Sequence, residues 1–299
     1  MKTPKISIIH FIKNILFIIL IIIICYYILF SIKKEVKNIN KKYLDGVDVV
    51  YWINLNRSKD RKNDMEKMLK DEAFDGIPTQ RIEAYDGKMN PKSVFDKLVI
   101  HSKYQTNTEY ACLLSHLESI RTFNESKYNV ALIFEDDVTL EFKKYWTKSV
   151  REIIDNAPPD WDIILLSYIY DVNNSNTSWD NQPMYDKVFY NNKKNQNNNN
   201  QYWSTLSYII NKNGSKKLLT NYKKNKYYLP ETPANVADIY LYNLTNSYVY
   251  KYPYFIYKTD NNSTIHPEHI SIHNESKKKI ENNYQNMIKN DNKVNENDK

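Results

Sequence analysis

The chain has 299 residues and a net charge of +7, from 42 Lys and Arg against 35 Asp and Glu. That length allows one or two domains with a sizeable core. The basic residues are scattered rather than gathered in a patch, and no nucleic-acid-binding module is recognisable, so no nucleic-acid partner is predicted. The cysteines, Cys25 and Cys112, do not suggest a disulfide framework.

The N-terminal region predicts a membrane anchor. After a short tail (residues 1–14), residues 15–32 are almost entirely apolar, and about 17–25 such residues cross a bilayer. No A-x-A-like cleavage site follows, which favours an uncleaved single-pass helix over a signal peptide. Lysines flank the run on both sides, so an ER/Golgi-type lumen and the cytoplasmic face both remain open. A polar stem, residues 33–46, leads to the predicted globular domain at 47–272.

The first predicted strand, residues 48–55, ends in a polar turn and a helix. Asn54, Asn56, Arg57 and Arg61 lie in or just after this turn. Guanidinium groups and helix N–H groups at the end of a strand can hold a phosphate. By spacing alone, the alternative of a basic, solvated first helical turn is favoured.

Two further elements precede the central strand. A short strand over residues 80–87 ends in Asp86-Gly87. A helix is predicted over 108–123, because its apolar residues recur with helical period, and it contains Glu109, Ser115 and His116. A lone helical histidine is more often packed and hydrogen-bonded than catalytic.

The most informative stretch is residues 131–138, where four apolar residues run directly into Glu135, Asp136 and Asp137. A continuous apolar run predicts a strand buried on both faces. Ligands bind at the carboxyl ends of such strands in open α/β sheets, and clustered carboxylates suit hard divalent cations. A metal site and a solvated acidic loop are equally supported by the acids alone.

The remaining chain predicts a helix over 142–156, strands over 161–167, 202–210 and 249–258, and helices over 215–222 and 230–244. Residues 191–201 are a low-complexity loop, and residues 273–299 are predicted to be a disordered tail. Asp238 is a carboxylate set in the apolar surroundings of the 230–244 helix. Strands alternating with helices predict an α/β fold with a mostly parallel central sheet.

Six segments in this order resemble glycosyltransferase family 25, which includes procollagen galactosyltransferase domains and bacterial lipooligosaccharide and LPS glycosyltransferases. The resemblance covers about residues 47–266. The segments that carry it are residues 51–61, 81–87, 109–116, 131–138, 161–166 and 208–219. Leu206 departs from the family, because a histidine often stands there.

The resemblance implies a GT-A-type fold, a UDP-hexose donor, Mn²⁺ or Mg²⁺, and transfer with inversion to a glycan, protein or lipid acceptor. Glu135 and Asp137 would hold the metal, and Asp238 is the candidate base that accepts the proton of the acceptor hydroxyl. A helix-cap or ion-pair role for Asp238 is equally open. The implied donor-binding residues are Asn54, Asn56, Arg57, Arg61, Asp86, Glu109, Ser115, His116 and Asp136.

Two alternatives to a glycosyltransferase follow from the same residues. Leu206 cannot bind a metal or hydrogen-bond as a histidine could, which favours a catalytically degenerate member that binds a sugar nucleotide or a partner. A metal-dependent phosphohydrolase is disfavoured, because the further His and Asp ligands of a two-metal site are missing.

Overall fold

The structure is a computed structural model that describes residues 16–27, 42–101, 103–170, 182–188, 202–231, 235–258 and 270–297. The chain forms two compact units, Met1–Lys42 and Tyr43–Lys299. In the first unit, residues 16–27 form a helix, α1, whose apolar side chains are exposed. None of the described helices combines the length and the apolar character needed to cross a bilayer. The predicted anchor, residues 15–32, includes residues on both sides of α1 that lie outside the described ranges. Residues 33–41 of the predicted stem also lie outside them.

The second unit is made of strands and helices, and its longest helices are α4 and α8. Its strands are β1 (Val49–Asn54), β2 (Thr79–Glu83), β3 (Leu98–Val99), β4 (Val130–Glu135), β5 (Val138–Thr139), β6 (Ile163–Leu165), β7 (Ile169–Tyr170), β8 (Tyr185–Lys187), β9 (Tyr202–Trp203), β10 (Ser207–Asn211), β11 (Tyr222–Lys223), β12 (Lys226–Tyr228), β13 (Ser247–Tyr250) and β14 (Ile256–Tyr257). Its helices are α2 (Lys59–Met68), α3 (Pro91–Lys97), α4 (Asn107–Glu125), α5 (Val150–Asp155), α6 (Lys212–Leu218), α7 (Ala237–Asn243) and α8 (Ile270–Asn297), with 3₁₀ turns at Glu72–Phe74 and Lys143–Tyr145.

The central sheet has seven strands in the order β2-β1-β4-β10-β6-β13-β8. β1 runs parallel to both β2 and β4, whereas β10 runs antiparallel to both β4 and β6. β13 is parallel to β6 and antiparallel to β8. The α/β prediction is therefore confirmed, but the mostly parallel arrangement applies to part of a mixed sheet. An apolar run reads the same in either direction, so hydrophobic patterning could not reveal the reversal of β10.

The core is built on β4 and α4. Residues 131–134 of β4 are fully buried, as expected for a strand covered on both faces. The long helix α4 buries Leu114, Leu117, Ile120 and Phe123 at helical spacing. A capping box between Thr106 and Glu109 satisfies backbone N–H groups at the start of α4. α4 packs on β1 and β2, so its inner face borders the carboxyl ends of these strands.

Several local predictions differ from the structure. The predicted helix over 142–156 is divided into the 3₁₀ turn and the short helix α5, and α6 begins at Lys212 instead of residue 215. The region predicted as a disordered tail is helical from Ile270 to Asn297. Its few apolar residues stand in a Lys- and Asn-rich background that hides their periodicity, but Ile280 and Tyr284 are buried four residues apart. The predicted 191–201 loop lies outside the described residues.

Candidate active site

The carboxyl ends of β1, β2 and β4 bring the polar turns together. Because the three strands are parallel, Asn54 is level with Glu83, and Ile53 is level with Glu135. The turn after β1, the loop after β2 and the acids after β4 therefore meet at one edge of the sheet. This is the edge at which open α/β sheets bind their ligands.

Arg61 joins the first turn to the acids. Its Nη1 donates to Asp136 Oδ1 at 2.7 Å, and its Nη2 donates to Asp137 Oδ2 at 2.9 Å. The other oxygen of Asp136 accepts from Asn54 Nδ2 at 2.6 Å. Both oxygens of Asp136 are thus occupied by neighbouring side chains, and its carboxylate orients the acidic loop.

Asp86 is held at the end of the β2 loop. Its Oδ2 accepts from Arg57 Nε at 2.6 Å, and its Oδ1 accepts from the backbone N–H groups of Lys88 and Met89. Burial acts to raise the pKa of Asp86, but these hydrogen bonds outweigh it and the pKa is lowered. Gly87 has a packing role, because a Cβ there would lie 2.1 Å from the carbonyl oxygen of Asn107.

Asn56 and Asn54 are positioned by a residue that the sequence did not mark as functional. Arg81 donates to Asn54 Oδ1 at 3.0 Å and to Asn56 Oδ1 at 2.7 Å. Asn56 also donates to Glu83, so its amide is engaged with exposed groups on β2. Arg81 lies on the neighbouring strand, and only the β1–β2 register brings it to these amides.

α4 supports the site from beneath. Ser115 Oγ accepts from Tyr85 N at 2.9 Å and donates to Ala111 O at 2.7 Å, which ties the β2 loop to the helix. His116 is 1% exposed, with Nδ1 3.1 Å from Tyr208 Oη and Nε2 3.4 Å from Glu135 Oε1. Glu109 is engaged in the capping box at the start of α4.

Glu135 and Asp137 differ in their electrostatic surroundings. Glu135 Oε1 accepts from Thr205 Oγ1 at 2.6 Å. Burial acts to raise the pKa of Glu135, but His116, Thr205 and Arg61 together lower it. Burial, together with the charge of Glu135, raises the pKa of Asp137 to about 7. Asp137 Oδ1 is buried and has no hydrogen-bond partner within the described part of the chain.

Two cavities meet at Glu135. Most of the predicted donor-binding residues line the first cavity: Asn54, Arg57, Arg61, Asp86, Ser115, His116 and Asp136. The second cavity lies on the Asp137 side, and its walls include Ser204, Leu206 and residues at the start of α8. Asn56 and Glu109 line neither cavity. Glu135 lines both and connects the two parts of the site.

The predicted base, Asp238, lies in the first turn of α7, which packs against α4. Its Oδ1 accepts from Ile239 N at 2.9 Å, and its Oδ2 lies 3.5 Å from Ser204 N. Burial raises the pKa of Asp238. Ser204 adopts a left-handed backbone conformation with φ of 105°, which is a strained geometry for serine. Leu206, two residues on, is 3% exposed, and its carbonyl accepts from Glu135 N at 3.0 Å.

The residues present fit a hard divalent cation. Glu135 and Asp137 share the second cavity, and Asp137 Oδ1, which no described residue hydrogen-bonds, is the kind of hard oxygen donor that Mn²⁺ and Mg²⁺ take. Cys112, His116 and Glu135 form an alternative donor set, with ligand atoms within 4.8 Å of one another. Burial and the surrounding carboxylates raise the pKa of Cys112 well above its usual range. The Cys112 thiol is therefore protonated, and a protonated thiol is a poor metal ligand.

The comparisons with known proteins place this site in a family. The sequence model of glycosyltransferase family 25 (LPS biosynthesis protein) matches residues 47–240. The chain belongs to glycosyltransferase family 25. The predicted family is therefore confirmed.

Curated relatives of family 25 match over the same part of the chain. Procollagen galactosyltransferase 2 of Homo sapiens is 30% identical over 192 residues, which are 60% of this chain and 28% of that protein. Its Mus musculus counterpart gives the same values, and procollagen galactosyltransferase 1 of Danio rerio is 28% identical over 185 residues, 58% of this chain and 28% of that protein. The match thus spans little more than a quarter of the length of these relatives.

The family 25 match includes both the acids after β4 and Asp238. It ends at residue 240, before β13, β14 and α8 begin. The residues that α8 contributes to the second cavity therefore lie beyond the matched segment, which is why no family motif marked them.

Proposed function

We propose that this protein transfers a hexose, galactose or glucose, from a UDP-sugar to a hydroxyl of a glycan, hydroxylated protein or lipid, with a divalent cation and inversion at the anomeric carbon. One observation carries the proposal. Asp137 Oδ1 is buried and has no hydrogen-bond partner among the described residues, and it lies beside Glu135 at the sheet edge that Arg61 also reaches. A buried carboxylate oxygen without a partner is costly unless a ligand completes it.

The first cavity is suited to a nucleotide diphosphate. Arg57 and Arg61 line it, and Asp86 stands where it can accept a hydrogen bond from ribose or uracil. Arg61 already bridges Asp136 and Asp137, so it holds the acidic loop in place as well as contributing positive charge. Donor phosphates must therefore share Arg61 with two carboxylates, which explains why a cation at Glu135 and Asp137 would assist binding.

The proposed chemistry divides between the cation and Asp238. A bound Mn²⁺ or Mg²⁺ would neutralise charge on the departing diphosphate. Asp238, whose pKa is raised by burial, is suited to accepting the proton of an acceptor hydroxyl. Glu135, whose pKa is lowered, stays ionised beside the reacting centre.

A UDP-release assay with Asp137→Asn tests this proposal. UDP-galactose and UDP-glucose are offered with Mn²⁺ or Mg²⁺, and release is measured with and without acceptors. We expect a cation-dependent signal in the wild type and its loss in Asp137→Asn. Asp96→Asn is the matched control, because Asp96 is exposed and pairs with Lys92 on α3. Full transfer by Asp137→Asn would refute the assigned role.

A catalytically degenerate family member is the second candidate, and Leu206 favours it. This side chain is buried in the wall of the second cavity and offers no polar atom beside Glu135 and Asp137. UDP binding without UDP release from any sugar nucleotide would support this candidate. Release that appears only in Leu206→His would identify Leu206 as the cause of the inactivity.

We also propose that residues 15–32 anchor the protein in a membrane as a single-pass segment. The support is the apolar run itself, which is as long as a bilayer-spanning helix. Carbonate-resistant membrane association of the full chain, lost on deletion of residues 1–32, is the expected result. Release of the full chain by carbonate would contradict the anchor, and protease protection of sealed membranes assigns the face.

A further inference from the structure

The second cavity is bounded by two different kinds of wall. One part of its lining holds the acids Glu135 and Asp137, and another part is formed by the start of α8 with His273 and Asn274. If the nucleotide occupies the first cavity, as proposed above, the sugar end of the donor reaches Glu135, because Glu135 lines both cavities. The second cavity is then the space from which an acceptor approaches the donor.

Helix α8 is packed against the rest of its unit by buried side chains. Ser276, Ile280 and Tyr284 recur every four residues and are all buried on the inner face of α8. The Tyr284 ring stacks on Tyr145 with centroids 4.7 Å apart, and its hydroxyl donates to Pro253 O at 2.7 Å. Lys277 pairs with Glu141 at 2.6 Å. This packing holds the start of α8 in the lining of the cavity that also contains the acids.

The start of α8 is also attached directly to the strand beside the acids. Tyr257 donates its hydroxyl to His273 O, and the Tyr257 and His273 rings lie 5.1 Å apart. β14, which contains Tyr257, pairs with β5 so that Tyr257 is level with Val138. The backbone N–H of Lys258 donates to Asp137 O at 2.9 Å. The acidic loop and α8 are therefore linked through a single strand.

Apart from the acids, the polar side chains that could hydrogen-bond to an acceptor in this cavity include two from α8, His273 and Asn274. Leu206, Tyr257 and Ile270 contribute mainly apolar surface, and the Lys258 ammonium pairs with Asp64 at 2.5 Å. His273 and Asn274 can each donate and accept a hydrogen bond. A neutral polyhydroxylated molecule can hydrogen-bond both to the polar groups of α8 and to the acids, whereas an anionic acceptor would be repelled by any charge on Glu135 and Asp137 that a bound cation does not offset.

We propose that His273 and Asn274 of α8 bind the acceptor, and that the acceptor group they recognise is a neutral sugar. This inference rests on the proposed glycosyl transfer. It adds to the proposed active site a part of α8 that lies outside the segment matched by the family model. His273 and Asn274 act as acceptor-binding residues. They do not contact the nucleotide.

The test compares reaction with water and reaction with a sugar in the full-length protein. UDP release from the better donor is measured in buffer alone and with methyl galactosides and methyl glucosides as acceptor probes. We expect His273→Ala and Asn274→Ala each to lower kcat/KM for the probe about tenfold, since one hydrogen bond is worth about that factor. Donor hydrolysis and UDP affinity should stay within about twofold of wild type, because the substituted side chains line only the second cavity.

Matched controls separate acceptor binding from a structural role. His101→Ala and Asn282→Ala remove the same side chains from exposed positions that do not line the cavity, and they should behave as wild type. The proposal would be overturned if the double variant His273→Ala/Asn274→Ala had the same KM for the acceptor as the wild type. It would also be overturned if the double variant lost UDP affinity by the same factor as it lost transfer to the acceptor. If no methyl hexoside accelerates UDP release in an otherwise active wild type, the neutral-sugar assignment is wrong. Absence of both UDP binding and UDP release in the wild type would instead refute the proposed function.

Discussion

Asp137 gives the sharpest physical prediction, because it is a carboxylate whose pKa is raised to about 7 in the folded chain. The groups that face it are Glu135 and Asp136, which oppose ionisation, and Arg61, which favours it. In the unfolded chain its pKa returns to about 3.9. The folded state therefore binds a proton more tightly than the unfolded state. Between these two pKa values the metal-free protein loses stability as pH rises, and above about pH 7 the loss is complete.

Replacing Asp137 with Asn removes this titration. The free energy of unfolding of Asp137→Asn minus that of wild type should rise by about 2 kcal/mol between about pH 5 and pH 7, since each full pH unit between the two pKa values is worth about 1.4 kcal/mol and the slope falls as pH 7 is reached. The lost contact with Arg61 contributes a constant offset to this difference. The dependence of this difference on pH therefore reports the partly buried Asp137 carboxylate and its coupling to Glu135.

The measurement is urea unfolding followed by tryptophan fluorescence, with chelator present, on both proteins across this pH range. Other groups that titrate alike in both proteins contribute equally to the two free energies of unfolding, so their contributions cancel when one is subtracted from the other. Adding Mn²⁺ at about pH 8 should stabilise the wild type and not Asp137→Asn, because a ligand stabilises only the state that binds it. A difference that stays flat with pH, or falls as pH rises, would refute the assignment of Asp137 as a partly buried acid whose ionisation is opposed by its neighbours.

Three further predictions follow from the same structure. Tyr284→Ala should lower the free energy of unfolding by about 3–5 kcal/mol, as expected for a fully buried aromatic ring; a loss below about 1 kcal/mol in chemical denaturation would show that α8 is not packed on the domain. Asp238→Asn should abolish sugar transfer and leave the UDP affinity measured by calorimetry unchanged, because Asp238 does not line the first cavity, which is proposed to hold the nucleotide. Transfer at the wild-type rate would show that Asp238 is not the base. Cys112→Ser should leave the Mn²⁺-dependent rise in melting temperature unchanged. If Mn²⁺ no longer raised the melting temperature of Cys112→Ser, the donor set of Cys112, His116 and Glu135 would be favoured over Asp137.

The central part of the site could be predicted from local pattern alone. The apolar run ending at Glu135 predicts a buried strand with acids at its end, and β4 has this form. The helical period of residues 108–123 predicts α4. Since parallel strands present their carboxyl ends together, Asn54, Asp86 and Glu135 could be expected at one edge.

The unequal roles of the acids depended on contacts between distant parts of the chain. Arg61 lies 75 residues before Asp136, and it bridges Asp136 and Asp137 through two hydrogen bonds. Arg81 reaches Asn54 only through the register of β1 and β2. Sequence spacing does not report such register, so Arg81 was missed.

The amino-acid sequence by itself determined the α/β class, the family and the residues that meet at the sheet edge, because these depend on short-range periodicity and on motifs in register. Only the tertiary structure decided the direction of β10, the partners of Asp136 and Asp137, and the place of α8 over the second cavity. The physical reason is that hydrophobic pattern records which side chains are buried. It does not record strand direction, or which distant surface a weakly patterned helix such as α8 will cover.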